Sequence, residues 1–262
     1  PQSTPGLALA SQLNQIAVAV NLTANTVTAK FDGVFGALPG WPSQFPQGNS
    51  VSEVDHTTVA MSPAGDRVAV VAVQDSGTIL CTVFDGDGNT VSTGNEFQVN
   101  TLPFVSVTRP NVFAFNDGSF VVVWGGDDGA NQDIFARTFD SNGGALLPAE
   151  VNLGPGFNPD VAADSTNGRF VVVWNQNATV VMQRFSFPTG QSASSVFDVS
   201  TGAPFGAEHG LAAVAVNQQG DAVVVFESFE AGTTRVHGRL YPVNLLDVGG
   251  AGEGGTGGGG AP

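Results

Sequence analysis

Five short apolar runs recur along this chain at nearly constant spacing: Ile16 to Val20 (IAVAV), Val68 to Ala72 (VAVVA), Phe120 to Trp124 (FVVVW), Phe170 to Trp174 (FVVVW) and Ala222 to Phe226 (AVVVF). Their starts lie 52, 52, 50 and 52 residues apart, so a single unit repeats five times. A second apolar run precedes each, at Leu7 to Ala10, Thr58 to Met61, Val112 to Phe115, Val161 to Ala163 and Ala212 to Val216. Turn-forming residues separate the two runs: PAGD from Pro63, NDG from Asn116, STNG from Ser165 and NQQG from Asn217. The pattern predicts a hairpin in each unit. A third run follows, as in ILCTVFD from Ile79, IFARTFD from Ile134, VMQRF from Val181 and VHGRLY from Val236. A fourth is marked by Phe45, EFQVN from Glu96, EVNL from Glu150, VFDV from Val196 and LLDV from Leu245.

These runs are rich in Val, Phe and Thr and show no helical period, so they read as strands. The second run of each unit does not alternate with polar residues, which is the signature of a strand covered on both faces. Sheets packed radially, blade against blade, create that environment, and a linear stack of the same units is the structural alternative. The expected fold is all-β, a five-bladed β-propeller with four antiparallel strands per blade. Its repeats span about 5–54, 55–108, 109–157, 158–208 and 209–248, and a Gly-rich tail follows at 249–262. Trp124 and Trp174 then read as packing between sheets rather than as platforms for a ligand. Cys81, inside TILCTVF, reads as a small buried filler.

Charge narrows the partners. The chain carries 23 Asp plus Glu against 8 Lys plus Arg, a formal charge of -15, with Lys30 its single lysine. Phosphate recognition draws on clustered cations, so nucleic acid is excluded as a partner. No apolar run reaches the length of a membrane span, so direct membrane insertion is not expected. An acidic surface suits a salty or calcium-rich exterior. The chain begins at Pro1, which fits a processed exported protein or an excised piece. The expected location is extracellular, on the cell surface or periplasmic.

Candidate chemistry is sparse. Asp85, Asp87 and Asn89, with Glu96, match the first, third, fifth and twelfth positions of a calcium loop, although Thr90 stands where such a loop needs Gly. The acids also coincide with Asp140 and Glu150 of the next unit, which favours a hairpin role. Asp127, Asp128 and Asp133 form a second acidic cluster without a counterpart in other units, so Ca2+ is the candidate cofactor at either place. Aligning the units puts Gly6, Thr58, Asn111, Asp160 and Ala212 at the entrance to the first strand. Asp160 and Asn111, with His56 and His209 just upstream of that position in their own units, are the candidate ligand or partner residues near one mouth of the ring. Arg137, Arg184 and Arg239 recur near the end of the third strand and read as a surface or edge feature of the repeat.

The units read roughly Pro-x-Val-Ala, Gly-x-Phe-Val-Val-Val-Trp, Ile-x-Ala-Arg-x-Phe-Asp-x-x-Gly and Glu-Phe-x-Val-Asn. In this the chain resembles the tandem propeller-like repeat proteins secreted by bacteria or held on their surface, over about residues 5 to 248. The resemblance implies an extracellular setting and a binding or structural role, with no catalytic residues to carry over. The expected function is a non-enzymatic scaffold for protein contacts, which the tail at 249–262 could share with neighbouring subunits. A lectin-like module that binds carbohydrate is the alternative. Five-bladed glycosidases place carboxylates on their innermost strands, so a glycoside hydrolase built around Asp160 is a third reading. There Asp160 is one carboxylate where a pair is needed.

Overall fold

The computed structural model describes residues 6–10, 15–22, 25–31, 43–45, 54–74, 77–165, 167–201, 208–230 and 232–243. The expected fourth strand of the last unit, at Leu245, and the glycine-rich tail lie outside these residues. The first sheet holds β1 (Gly6–Ala10), β2 (Gln15–Leu22), β3 (Asn25–Phe31) and β4 (Ser43–Phe45). The second holds β5 (Val54–Met61), β6 (Arg67–Gln74), β7 (Thr78–Asp85) and β8 (Phe97–Gln98). The third holds β9 (Ser106–Ala114), β10 (Phe120–Asp127), β11 (Gln132–Phe139) and β12 (Val151–Pro155). The fourth comprises β13 (Phe157–Asp164), β14 (Arg169–Gln176), β15 (Thr179–Ser186) and β16 (Phe197–Asp198). The last comprises β17 (Glu208–Val216), β18 (Ala222–Glu230) and β19 (Thr233–Tyr241). Strands follow one another in sequence order across every sheet, and each pairing is antiparallel.

The first strands stand side by side in the order β1, β5, β9, β13, β17, so the sheets pack face to face in chain order. Alternation along the second strand builds each interface. Phe120, Val122 and Trp124 of β10 meet Ala69, Val71 and Val73 of β6, while Val121 and Val123 turn the other way toward Phe170, Val172 and Trp174 of β14. Val171 and Val173 meet Ala222, Val224 and Phe226 of β18 in the same manner. A strand filled between two neighbours must be apolar at every position, which is why the repeated motif does not alternate. Both tryptophans are buried, as is Cys81, whose thiol is pushed well above its usual range by burial.

The glycine that opens the repeated motif has a local cause. Gly118 (φ 81°) and Gly168 (φ 60°) occupy the left-handed region in the hairpin turns before β10 and β14, where a side chain is strained.

The arginines depart from expectation. Arg137 and Arg184 are buried rather than superficial. Register opposes Arg137 to Val122 and Arg239 to Val224, but it opposes Arg184 to Val171 and gives the position equivalent to Arg137 to Gln183. Arg184 therefore faces the other way. Arg137 donates to the Val99 carbonyl of the preceding unit (2.6 Å), and Arg239 to that of Thr201, also in the preceding unit. Arg184 donates forward to Gly220 O (3.0 Å), as Thr138, its equivalent, donates to Pro188 O (2.7 Å). Carbonyls at the ends of outer strands and in turns have no ladder partner, and these side chains satisfy them.

Glu150 forms a further link between units. It accepts hydrogen bonds from the Thr101 hydroxyl, from Thr101 N and from Leu102 N (2.7 Å). Burial opposes its ionisation, yet the bonds from Thr101 and Leu102 outweigh it and hold the carboxyl below its usual range. A lowered carboxyl stabilises the fold above its unfolded pKa, and that contribution disappears as pH falls through the folded value. Glu150→Gln is expected to cost about 1 kcal/mol at neutral pH. In urea titrations the variant and the parent should converge at acid pH; a pH-independent gap would contradict this account.

Candidate functional site

One irregularity recurs within one residue of the same place in four sheets. Against the second strand, the first strand carries one extra residue between Val54 and Thr57, Thr108 and Asn111, Phe157 and Asp160, and His209 and Ala212. Such a bulge bends the strand and re-aims its side chains. Arg109 (φ 46°) and Asn158 (φ 55°) adopt the left-handed conformation there. In β9 and β13 a proline follows, Pro110 and Pro159, which has no N–H to leave unpaired where the ladder is broken.

The register refines the alignment of the units. Thr58, Asn111 and Asp160 oppose Val71, Val123 and Val173, and Gly6 opposes Ala19, so these four are equivalent. In the last sheet the equivalent residue is Ala213, opposite Val225, and not Ala212. The bulges of the second and last sheets sit one residue along from those of the third and fourth, which sequence spacing does not reveal.

The bulges of the third, fourth and last sheets border a cavity of about 360 Å³, lined among others by Arg109, Asn111, Asn158, Asp160, Leu211 and Glu227. Two of these residues also tie adjacent first strands together. Asn111 Nδ2 donates to Pro159 O (2.9 Å), and Asp160 Oδ2 accepts from Val214 N (2.8 Å). Burial raises the Asp160 carboxyl, and the bonds from Val214 and Val161 oppose that. Glu227 supplies a second carboxylate to the cavity. Sequence reasoning missed Glu227, Arg109 and Asn158; the Arg-Pro and Asn-Pro pairs inside strand-like runs were the available signal for the last two. His56 is half-buried in the bulge of β5 and does not line the cavity. His209 lies on β17, and its side chain is outside the described residues.

The acidic candidates are engaged in turns or, for Asp133, by the neighbouring strand. Asp85 Oδ1 accepts from Asp87 N and Asn89 N (both 2.9 Å), and Asn89 Nδ2 donates to Oδ2 (3.0 Å). Asp140 Oδ1 makes the same pattern with Asn142 N and Gly144 N (both 2.8 Å), which is the hairpin role of the repeat. Asp127 Oδ1 accepts from Gly129 N (2.7 Å) and Asp128 Oδ1 from Ala130 N and Asn131 N. Asp133 Oδ2 accepts from Asn152 Nδ2 (2.7 Å). Among the described residues no group of three or more His, Cys, Asp or Glu is placed to hold a metal ion.

No protein-family model matches the sequence, and no curated protein matches it significantly. Solved structures do resemble the fold. The β-propeller domain of the Trilobed protease from Pyrococcus furiosus superposes with a TM-score of 0.54 at 10% identity, over 92% of this chain and 70% of that one. The Aleuria aurantia lectin gives 0.52 at 12% identity, over 91% and 77%. An exo-β-1,3-galactanase from Phanerochaete chrysosporium gives 0.51 at 10% identity, over 92% and 60%. Together with the radial order of its antiparallel sheets, this likeness defines the chain as a β-propeller. Enzymes and a lectin share the fold, so the fold does not choose among functions.

Proposed function

We propose that the protein is a five-bladed, non-enzymatic propeller that works outside the cell or at its surface as a scaffold for protein contacts. Its bulged end is the contact surface. The observation that carries this reading is the use of Asp160: one carboxylate oxygen is held by the backbone of the next first strand, in series with the same kind of link from Asn111. Bulge residues differ from sheet to sheet, Arg109 and Asn158 among them, which suits one asymmetric partner better than five equivalent sugar sites. The segment 249–262 is a second proposed contact. A hydrolase is the second reading, and the presence of Glu227 in the same cavity as Asp160 favours it.

Asp160→Asn separates the two. A raised carboxyl costs stability once pH rises above its unfolded pKa, and the cost stops growing above the folded value. Asparagine can still accept from Val214 N without the buried charge. The variant is therefore expected to be as stable as the parent at neutral pH, or more so, and to keep any partner recovered from the native source. Arg109→Ala should weaken that partner. Polysaccharide turnover by the parent protein, lost in Asp160→Asn and in Glu227→Gln, would instead establish the hydrolase.

A further inference from the structure

Two charged side chains line the cavity at the bulged end without serving the fold. Arg109 and Glu227 are both half-buried there, and among the described residues neither makes a hydrogen bond or an ion pair. The fold keeps them apart, because Arg109 lies on β9 of the third sheet and Glu227 on β18 of the last, with the fourth sheet between. Asp160, the other carboxylate of the cavity, is committed to Val214 N. Arg109 reaches the cavity from a left-handed backbone (φ 46°), which a residue with a side chain adopts at a cost. Glu227 departs from the repeat, since Val73, Gly125 and Asn175 hold its position in the second, third and fourth units. Asn158 adds a side-chain amide equally unengaged among the described residues, and Asn111 keeps its side-chain oxygen while Nδ2 is bound to Pro159 O. Leu211 supplies an apolar wall.

We propose that this cavity receives a loop of a partner protein that carries an acidic and a basic side chain, the acid on Arg109 and the base on Glu227, with an apolar residue against Leu211. The proposal rests on the scaffold reading above and names the chemistry of its partner. Closing the cavity over a neutral sugar would strip water from both charges and return nothing of opposite sign. A partner of one sign would satisfy one charge and face the other. The amide of Asn158 and the side-chain oxygen of Asn111 match the C=O and N–H groups of a peptide backbone. A second copy of this chain is the poorer occupant, because two chains of formal charge -15 repel.

Biosensor measurements with the full chain and immobilised synthetic peptides test this. The peptides place Glu and Lys on either side of Leu, in both orders and at several glycine spacings, and matched peptides carry Gln in place of Glu, of Lys or of both. The parent should bind its best mixed-charge peptide at least about tenfold more tightly than either counterpart with a single Gln. Arg109→Gln should remove the preference for Glu alone, and Glu227→Gln the preference for Lys alone. Buried Cys81 should stay unreactive toward a maleimide in both, as a sign that the fold is intact. Should it become reactive, Arg109→Ala and Glu227→Val, which copies Val73, are the second pair. No binding by any peptide, binding indifferent to charge, or preferences unchanged in the variants would overturn the proposal. A native partner that Arg109→Ala releases while the peptides show no charge preference would overturn it and leave the scaffold reading standing.

Discussion

Replacing Trp174 by alanine is expected to lower stability by about 3–5 kcal/mol, the cost of emptying a large buried aromatic site. Its indole fills the interface between the third and fourth sheets, and Nε1 donates to Pro155 O (3.1 Å). Gly156 allows that approach, since a Cβ there would lie 2.3 Å from Trp174 Cδ1. Trp124 occupies the same position one unit earlier, but its Nε1 is buried without an acceptor. Phenylalanine should therefore be tolerated better at 124 than at 174, by about 1 kcal/mol, the net worth of one hydrogen bond. Urea unfolding of the two Trp→Phe variants measures the difference. A larger loss at 124 would show that the bond to Pro155 does not set the difference.

Arg137→Met should have the next largest effect, a loss of about 2–3 kcal/mol, although the substitution keeps the length of the side chain. The guanidinium reaches the Val99 carbonyl and lies 5.5 Å from the centre of the Phe139 ring. Burial draws its pKa down, and the Glu150 carboxylate opposes that. Methionine would leave a buried carbonyl with no donor and remove the positive charge that Glu150 favours. Arg239→Met, at the equivalent but more exposed position, should cost about 1 kcal/mol or less. Equal losses at the two positions, read from denaturant midpoints, would mean that burial adds nothing to the worth of the carbonyl link.

Much of the architecture was legible because the repeat spacing and the uninterrupted apolar second strand both report how a strand is covered. Val121, Val122 and Val123 have no polar alternation, and the structure buries all three completely. The arginines were misread for a physical reason. Their partners are main-chain carbonyls of other units, which carry no sequence signature, and one residue of register decides which neighbour an arginine faces. The cavity was half legible. Asn111 and Asp160 align across units, whereas Glu227 follows the apolar run of β18 at a point where the units diverge, and a bulge adds its extra residue without disturbing the spacing of the strands.

The bulges also separate two kinds of change. The pairs at 55–56, 109–110, 158–159 and 210–211 fall where the first-strand ladder is already broken, outside the alternation that seals one sheet against the next. Descendants of this chain could therefore exchange residues at these addresses, and with them their partners, while inheriting the same sealed walls.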